Sequence, residues 1–207
     1  MNIVIKNGRV IDVANKLDKT TDIAIENGKI KHIGDIPAHF VATQTIDARD
    51  RWVLPGLIDI CNRPQMHHPQ GASLINEANA ALKRGITTLC IPPDCDPILD
   101  TSANAIRLKQ NSTLPAIHPI GALTTALSGE AIADLTSLKE AGCVAFSNAQ
   151  RPIADTKMLR HCYDYAASFN LTVIVAPQCA MLAKVGIAHE GFVALRLGWH
   201  GIPVSSE

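Results

Sequence analysis

Side chains that bind transition metals follow two neighbouring predicted strands. His67 and His68 come after the first strand, and Asp94 and Cys95 come after the second. Imidazole, thiolate and carboxylate groups are the ligands of zinc, and a zinc-bound water supplies the nucleophile of metal hydrolases. One hypothesis is therefore a metal site built from these two loops. The alternative, which we favour, is a solvated loop, because adjacent histidines point in different directions on most backbones and prolines stand on either side of this pair.

A thiol and a guanidinium also stand at the end of the first strand, at Cys61 and Arg63. A nearby cation lowers the pKa of a thiol, but a cysteine nucleophile also needs a paired base. The sequence fixes no histidine beside Cys61. We therefore favour an idle thiol here, and we interpret Asp94 to Pro97 as a turn rather than as a catalytic carboxylate pair.

The elements that must position these residues alternate between strand and helix from residue 56 onward. Short apolar runs start about thirty residues apart, the length of one βα unit. Ser73 and Gly85 are predicted to bound one intervening helix, and Gly142 to end another. This alternation indicates a parallel sheet, either a barrel of the TIM type or an open doubly wound sheet. The predicted strands are Leu57–Cys61, Ile86–Ile91, Ala116–Gly121, Cys143–Ser147 and Leu171–Ala176.

Residues 1–55 have a different pattern, short apolar strands joined by tight turns. Asn7-Gly8 and Asn27-Gly28 each separate two such strands. Asn-Gly between alternating apolar residues is the strongest short signal for a β-hairpin, because both turn positions need positive φ. The segment is predicted to be part of a small β-sandwich, followed by a second domain over residues 56–207.

Composition excludes several classes of partner. Lys plus Arg number 19, as do Asp plus Glu, so no net field attracts nucleic acid or an anionic membrane. The sequence has no apolar run long enough to span a bilayer and no signal-peptide pattern at its start. Its six cysteines form no CxxC pair, which is typical of reduced thiols and predicts a cytoplasmic location.

The stretch Leu54-Pro55-Gly56-Leu57-Ile58-Asp59 resembles the first barrel strand of the amidohydrolase superfamily, and within it the dihydroorotase branch. Further matching phrases lie at 119–122, 138–142, 144–147 and 196–198, so the resemblance covers nearly the whole chain. It implies a partial TIM-type (β/α) barrel of about five βα units after an N-terminal β-sandwich. Active members of the family use zinc to hydrolyse cyclic amides.

The metal-ligand and substrate-binding positions of that family hold other residue types in this chain. The two zinc histidines after the first strand fall at Cys61 and Arg63, and a third histidine falls at Ala176. The acidic ligand after the fourth strand falls in the pair Asn148 and Ala149. The substrate-binding arginine and asparagine fall at Gln65 and Pro93. The resemblance therefore predicts no catalytic residues and no cofactor.

The resemblance implies a non-catalytic role. The chain is similar to the catalytically inactive dihydroorotase homologue of some bacteria, which associates with the catalytic subunit of aspartate transcarbamoylase in pyrimidine biosynthesis. A hetero- or homo-oligomer is expected on this basis. The alternative is an active zinc-dependent cyclic amidohydrolase with an altered site, formed by Cys61, His67 or His68, and Asp94.

The length of the sequence adds one expectation. An eight-unit barrel needs about 250 residues, and the part of this chain after the sandwich has room for about five units. Five units leave two open sheet edges, which a domain has to cover. The chain is therefore expected to be truncated or to depend on a partner.

Overall fold

The computed structural model describes residues 1–64, 74–110 and 115–207. The predicted cap Ser73 lies outside these residues. The chain divides into two compact units, Met1–Gly56 and Leu57–Glu207. Among the described residues no helix has the length and apolar content needed to cross a bilayer.

The first unit is built on one five-stranded sheet. β1 lies at its centre, antiparallel to β2 and parallel to β4 and β5, and β3 pairs with the far side of β2. A sandwich needs a second sheet facing the first, and residues 1–56 supply none, so the sandwich stays a prediction. The strands are β1 Asn2–Asp12, β2 Leu17–Glu26, β3 Lys29–Ile33, β4 Gln44–Asp47 and β5 Trp52–Val53.

The two Asn-Gly pairs have different structures. Asn27 and Gly28 have φ of 51° and 76° and connect β2 to β3 as a two-residue hairpin turn, which confirms that prediction. The predicted hairpin at Asn7-Gly8 is wrong, because β1 runs through both residues and bulges there. Only Asn7 has positive φ, and its N–H donates to Asp22 Oδ1 at 2.9 Å. One left-handed residue inserts a bulge, whereas the turn needs two.

The second unit alternates strands and helices along the chain. Two short 3₁₀ turns lie at Thr125–Leu127 and Val204–Ser206. The elements in order are β6 Leu57–Asp59, α1 Leu74–Lys83, β7 Ile86–Ile91, α2 Ser102–Lys109, β8 Ala116–Ala122, α3 Leu135–Glu140, β9 Ala145–Ser147, α4 Thr156–Ser168, β10 Val173–Ile174, α5 Ala180–Ala183, β11 Ala188–His189, α6 Phe192–Leu197 and β12 Gly201–Ile202.

The strands β6 to β10 form one parallel sheet in the order in which they occur in the sequence. A doubly wound sheet reverses its strand order at a switch point, and the described strands contain no reversal. The sheet is therefore of the half-barrel type. All five predicted strands are present, and β6, β9 and β10 are shorter than predicted. β11 and β12, which the sequence analysis did not predict, pair with each other in a separate parallel sheet.

Helices pack on this sheet through two apolar clusters. In one, Leu138 of α3 and Cys162 of α4 are fully buried beside Phe146 of β9. In the other, Ala78 of α1 packs with Leu89 of β7. Burying one such large side chain contributes about 1.5–3 kcal/mol. The two clusters therefore hold α3 and α4 against β9 and α1 against β7.

Candidate functional site

The ends of β6 and β7 bring three of the predicted site residues together. Parallel strands direct their carboxyl ends to one edge of a sheet. At this edge Arg63 Nε lies 3.2 Å from Asp94 Oδ2, and Arg63 Nη1 donates to Cys61 Sγ at 3.3 Å. The side chains of Arg63 and Asp94 are 41% and 25% exposed. Position 63 therefore holds a guanidinium paired with a carboxylate and a thiol.

Asp59 explains why β6 ends where it does. Its Oδ1 accepts the N–H of Cys61 at 3.1 Å and its Oδ2 accepts Asn62 Nδ2 at 3.1 Å. The N–H of Asn62 donates to the carbonyl of Cys90 at 2.9 Å. These bonds turn the chain so that Cys61 and Arg63 lie near the end of β7.

In the loop after β7, Asp94 and Cys95, the two described residues of the hypothetical metal site, make other contacts. Burial raises the pKa of Cys95 to about 11, and its thiol donates to the carbonyl of Pro97 at 3.4 Å. This thiol is therefore used as a hydrogen-bond donor within its own loop. Asp94 is paired with Arg63. The other predicted members, His67 and His68, lie outside the described residues, as does Gln65.

Pro93, at the predicted position of a substrate-binding asparagine, is fully buried. Its carbonyl accepts the N–H of Leu99 at 3.1 Å. The pyrrolidine ring has no hydrogen-bond donor. Pro93 therefore has a structural contact at this strand end and no group with which to bind a polar ligand.

The end of β9 contains a buried polar network that the sequence analysis missed. Thr124 Oγ1 donates to Asn148 Oδ1 at 2.7 Å and accepts the N–H of Gly129 at 3.0 Å. Asn148 Nδ2 donates to the carbonyls of Arg151 and Leu127 at 2.9 and 3.4 Å. The amide both accepts and donates, which a carboxylate cannot do. The only sequence signal for Thr124 is a hydroxyl directly after the apolar run of β8.

Two methyl side chains occupy the remaining predicted metal positions. Ala149 follows β9 with φ of 54°, and Ala176 follows β10. Both line one cavity of about 160 Å³ between these strand ends and α4. A methyl group offers neither a lone pair nor a charge.

The described residues at these positions do not fit a zinc ion. Zinc is held by neutral imidazole, thiolate or carboxylate, whereas the five positions present a thiol, a guanidinium, an amide and two methyl groups. A guanidinium is always charged and has no lone pair to donate. Within residues 1–64, 74–110 and 115–207, no three His, Cys, Asp or Glu side chains are grouped so that they could hold a metal ion.

The sequence of the chain matches a known protein family. The model of the dihydro-orotase-like family matches residues 50–207. The chain belongs to the dihydro-orotase-like family. A dihydroorotase-like protein of Pseudomonas putida is 40% identical over all of this chain and 50% of its own length. The protein of the same name from Pseudomonas aeruginosa is 41% identical, also over all of this chain and 50% of its own length.

Relatives named dihydroorotase are also similar to this chain. The dihydroorotase of Trichlorobacter lovleyi is 34% identical over the whole of this chain and 50% of its own length. This dihydro-orotase-like chain thus spans about half the length of the curated relatives it matches.

Solved structures show the fold. The L-hydantoinase (dihydropyrimidinase) of Arthrobacter aurescens superposes with a TM-score of 0.72 at 18% identity, over 88% of this chain and 42% of its own. A D-hydantoinase from a Thermus species gives a TM-score of 0.67 at 20% identity, over 95% of this chain and 43% of its own. At such identities the likeness concerns the fold alone. It agrees with the parallel half-barrel sheet of the second unit.

Proposed function

We propose that this dihydro-orotase-like chain is a non-catalytic structural subunit of pyrimidine biosynthesis. Its function would be to assemble with the catalytic subunit of aspartate transcarbamoylase in the cytoplasm. The fold would be a partial TIM-type barrel whose metal site has been lost. The family assignment supports the pathway, and the side chains at the strand ends support the absence of catalysis.

The observation on which the proposal depends is the contact between Arg63 and Asp94. In the zinc-dependent family an imidazole stands at position 63, and here a permanent cation lies 3.2 Å from a carboxylate. A dication placed beside a guanidinium is repelled, and the guanidinium cannot act as a ligand. The carboxylate that could attract a metal ion is already neutralised by Arg63.

The other strand ends support the same conclusion. Asn148 is tied to Thr124 and to two backbone carbonyls, and position 176 is a methyl group. Hydrolysis of a cyclic amide by this family needs a water made nucleophilic by metal. No described side chain here takes over that activation.

The assembly role, as proposed, uses exposed apolar surface on the second unit. Leu57 and Ile58 of β6 are 55% and 63% exposed, and β6 forms an edge of the described parallel sheet. An apolar sheet edge is a site at which proteins associate. The choice of aspartate transcarbamoylase as partner follows from the resemblance to the inactive homologue.

Co-purification tests the proposal. The tagged chain is co-expressed with the aspartate transcarbamoylase catalytic subunit of the same genome, and the complex is sized by light scattering. We expect one complex of fixed stoichiometry that does not hydrolyse dihydroorotate. Two separate species would contradict the assembly role, and zinc-dependent turnover that is lost in Cys61→Ser or Asp94→Asn would instead support the altered-site amidohydrolase.

A further inference from the structure

The cavity between α4 and the ends of β9 and β10 has the properties of a small-ligand site. Its volume is about 160 Å³, and eight of its twelve lining residues are apolar or proline. A closed apolar cavity of about 150 Å³ is large enough to hold a benzene ring, and this cavity has a similar volume but opens to solvent at Tyr163 and Val175, which are 40% and 48% exposed. The space therefore matches one six-membered apolar ring.

Three polar groups of this cavity, the side chains of Arg151, Tyr163 and Gln178, have no partner among the described residues. Neither the guanidinium of Arg151 nor the hydroxyl of Tyr163 makes a hydrogen bond or an ion pair with any described residue. The fourth polar lining residue is Asn148, whose amide is used within its own network, whereas Arg151, Tyr163 and Gln178 are all exposed. An apolar cavity with a few unpaired polar groups is the usual form of a small-molecule site.

Local structure fixes the backbone of both residues. The N–H of Arg151 donates to the carbonyl of Asn148 at 3.1 Å, and its carbonyl accepts Asn148 Nδ2 at 2.9 Å. The backbone of Arg151 is thus fastened to a buried side chain. Tyr163 stands four residues after Leu159 on α4, so both lie on one helix face and both line the cavity.

The chemistry of these groups selects the ligand. A guanidinium donates two parallel hydrogen bonds to a carboxylate, and a phenol hydroxyl can donate a third. The apolar walls favour a ring without polar substituents. We propose that this cavity binds a small monocarboxylate with a benzene-sized apolar ring. The proposal is independent of the assembly role and of any metal.

Calorimetric titration with benzoate tests the proposal, with benzyl alcohol and dihydroorotate as comparison ligands. We expect one site for benzoate with a dissociation constant below about 1 mM. Benzyl alcohol, which lacks the charge, should bind at least about tenfold more weakly. Dihydroorotate should also bind more weakly, because its ring amides would lose water without gaining partners. If no benzoate binding is detected up to about 10 mM, or if dihydroorotate binds more tightly than benzoate, the proposal is overturned.

Variants locate the site. Arg151→Gln should weaken benzoate binding about tenfold, and Tyr163→Phe about threefold. Arg160→Gln is the matched control for the loss of one positive charge. Arg160 lies on α4 with Tyr163, pairs with Asp164 at 3.6 Å and does not line the cavity. This substitution should leave the affinity unchanged. Equal effects of Arg151→Gln and Arg160→Gln would mean that benzoate responds only to net charge, and the site would be refuted.

A filled cavity gives an independent check. Ala176→Leu adds three carbon atoms to the wall and should abolish benzoate binding. Thermal melts establish that each variant is folded. If Ala176→Leu does not fold, the comparison of Arg151→Gln with Arg160→Gln still decides the outcome.

Discussion

The side-chain amide of Asn148, directly after β9, both accepts and donates hydrogen bonds. Its oxygen accepts from Thr124 at 2.7 Å while its nitrogen donates to the carbonyl of Arg151 at 2.9 Å. Both side chains are buried. A buried donor or acceptor that loses its partner costs about 1–3 kcal/mol. The network is therefore structural, and it fixes the loop that carries Arg151.

Replacing the Thr124 hydroxyl tests this network. Thr124→Val keeps the shape of the side chain but leaves the Asn148 oxygen and the Gly129 N–H without a partner. The free energy of unfolding, measured by urea denaturation, should fall by about 1–3 kcal/mol. Thr20→Val, at an exposed strand position, should change it by less than about 0.5 kcal/mol. Equal effects of the two substitutions would show that the network is not needed.

The contact between Arg63 and Asp94 should contribute little to stability. Both side chains are partly exposed, at 41% and 25%, and ion pairs in water contribute about 0–1 kcal/mol. Arg63→Gln should therefore lower the free energy of unfolding by less than about 1 kcal/mol. A loss of about 3 kcal/mol or more in urea denaturation would mean a buried pair. The importance of Arg63 in our proposal is electrostatic repulsion of a metal ion, not stabilisation of the fold.

At the scale of elements, α3 begins at a carboxylate that caps it. Asp134 accepts from the hydroxyl of Ser137 at 2.6 Å, from the Ser137 N–H at 3.0 Å and from the hydroxyl of Thr136 at 2.8 Å. The hydrogen bond from the Ser137 side chain is the main cause that lowers the pKa of Asp134 to about 2. An aspartate at this position satisfies N–H groups at the start of a helix.

This cap predicts a specific pH dependence. Because the folded pKa of Asp134 lies below the unfolded value of 3.8, its contribution is complete above about pH 4 and is lost as the pH falls through 2. Asp134→Asn keeps a capping oxygen without the charge. The difference in unfolding free energy between wild type and variant should therefore shrink between about pH 4 and pH 2. Urea midpoints that stay parallel over this range would contradict the assignment.

The bulge in β1 depends on close packing at Gly8. A Cβ at this position would lie 2.6 Å from Val53 Cγ2 and 3.0 Å from Ala48 Cβ. Gly8→Ala should therefore lower the free energy of unfolding by about 1–3 kcal/mol. Val53→Ala added to Gly8→Ala should recover part of that loss. Gly191→Ala is the control, since no atom lies within 4 Å of its Cβ position, and an effect as large as that of Gly8→Ala would contradict the packing argument.

Short sequence patterns correctly predicted the strands and turns that depend only on neighbouring residues. Ile86–Ile91 and the turn at Asn27-Gly28 follow from a continuous apolar run and from positive φ at two residues. The bulge at Asn7-Gly8 depends on Val53, which is distant in sequence, so the same dipeptide misled the prediction. Strands β11 and β12 have two residues each and leave no periodic signal.

The candidate site was predictable only as a set of positions. The family resemblance located Cys61, Arg63 and Asn148, but not the partners that these side chains have. Asp94 reaches Arg63, and Thr124 reaches Asn148, across 31 and 24 residues of chain. The apolar cavity beside Ala176 likewise forms only when α4 packs against the ends of β9 and β10. Contacts of this kind depend on tertiary structure, which residue types and spacing do not specify.

At the scale of the whole molecule, a half-barrel sheet is combined with strand ends at which the described His, Cys, Asp and Glu side chains form no group that could hold a metal ion. The family model covers residues 50–207, and the scaffold phrases survive within that range. The ends of β6, β7 and β9 have hydrogen bonds and an ion pair suited to structure, and the methyl group of Ala176 after β10 lines the cavity. We propose that the fold has been retained for assembly while the metal chemistry has not.

Metal content is the most direct test of that account. The chain, purified without chelators and then dialysed against zinc-containing and zinc-free buffer, is analysed by inductively coupled plasma mass spectrometry. We predict far less than one equivalent of any transition metal after the final dialysis. About one tightly held equivalent or more, with retention reduced by Cys61→Ser or Asp94→Asn, would contradict the account.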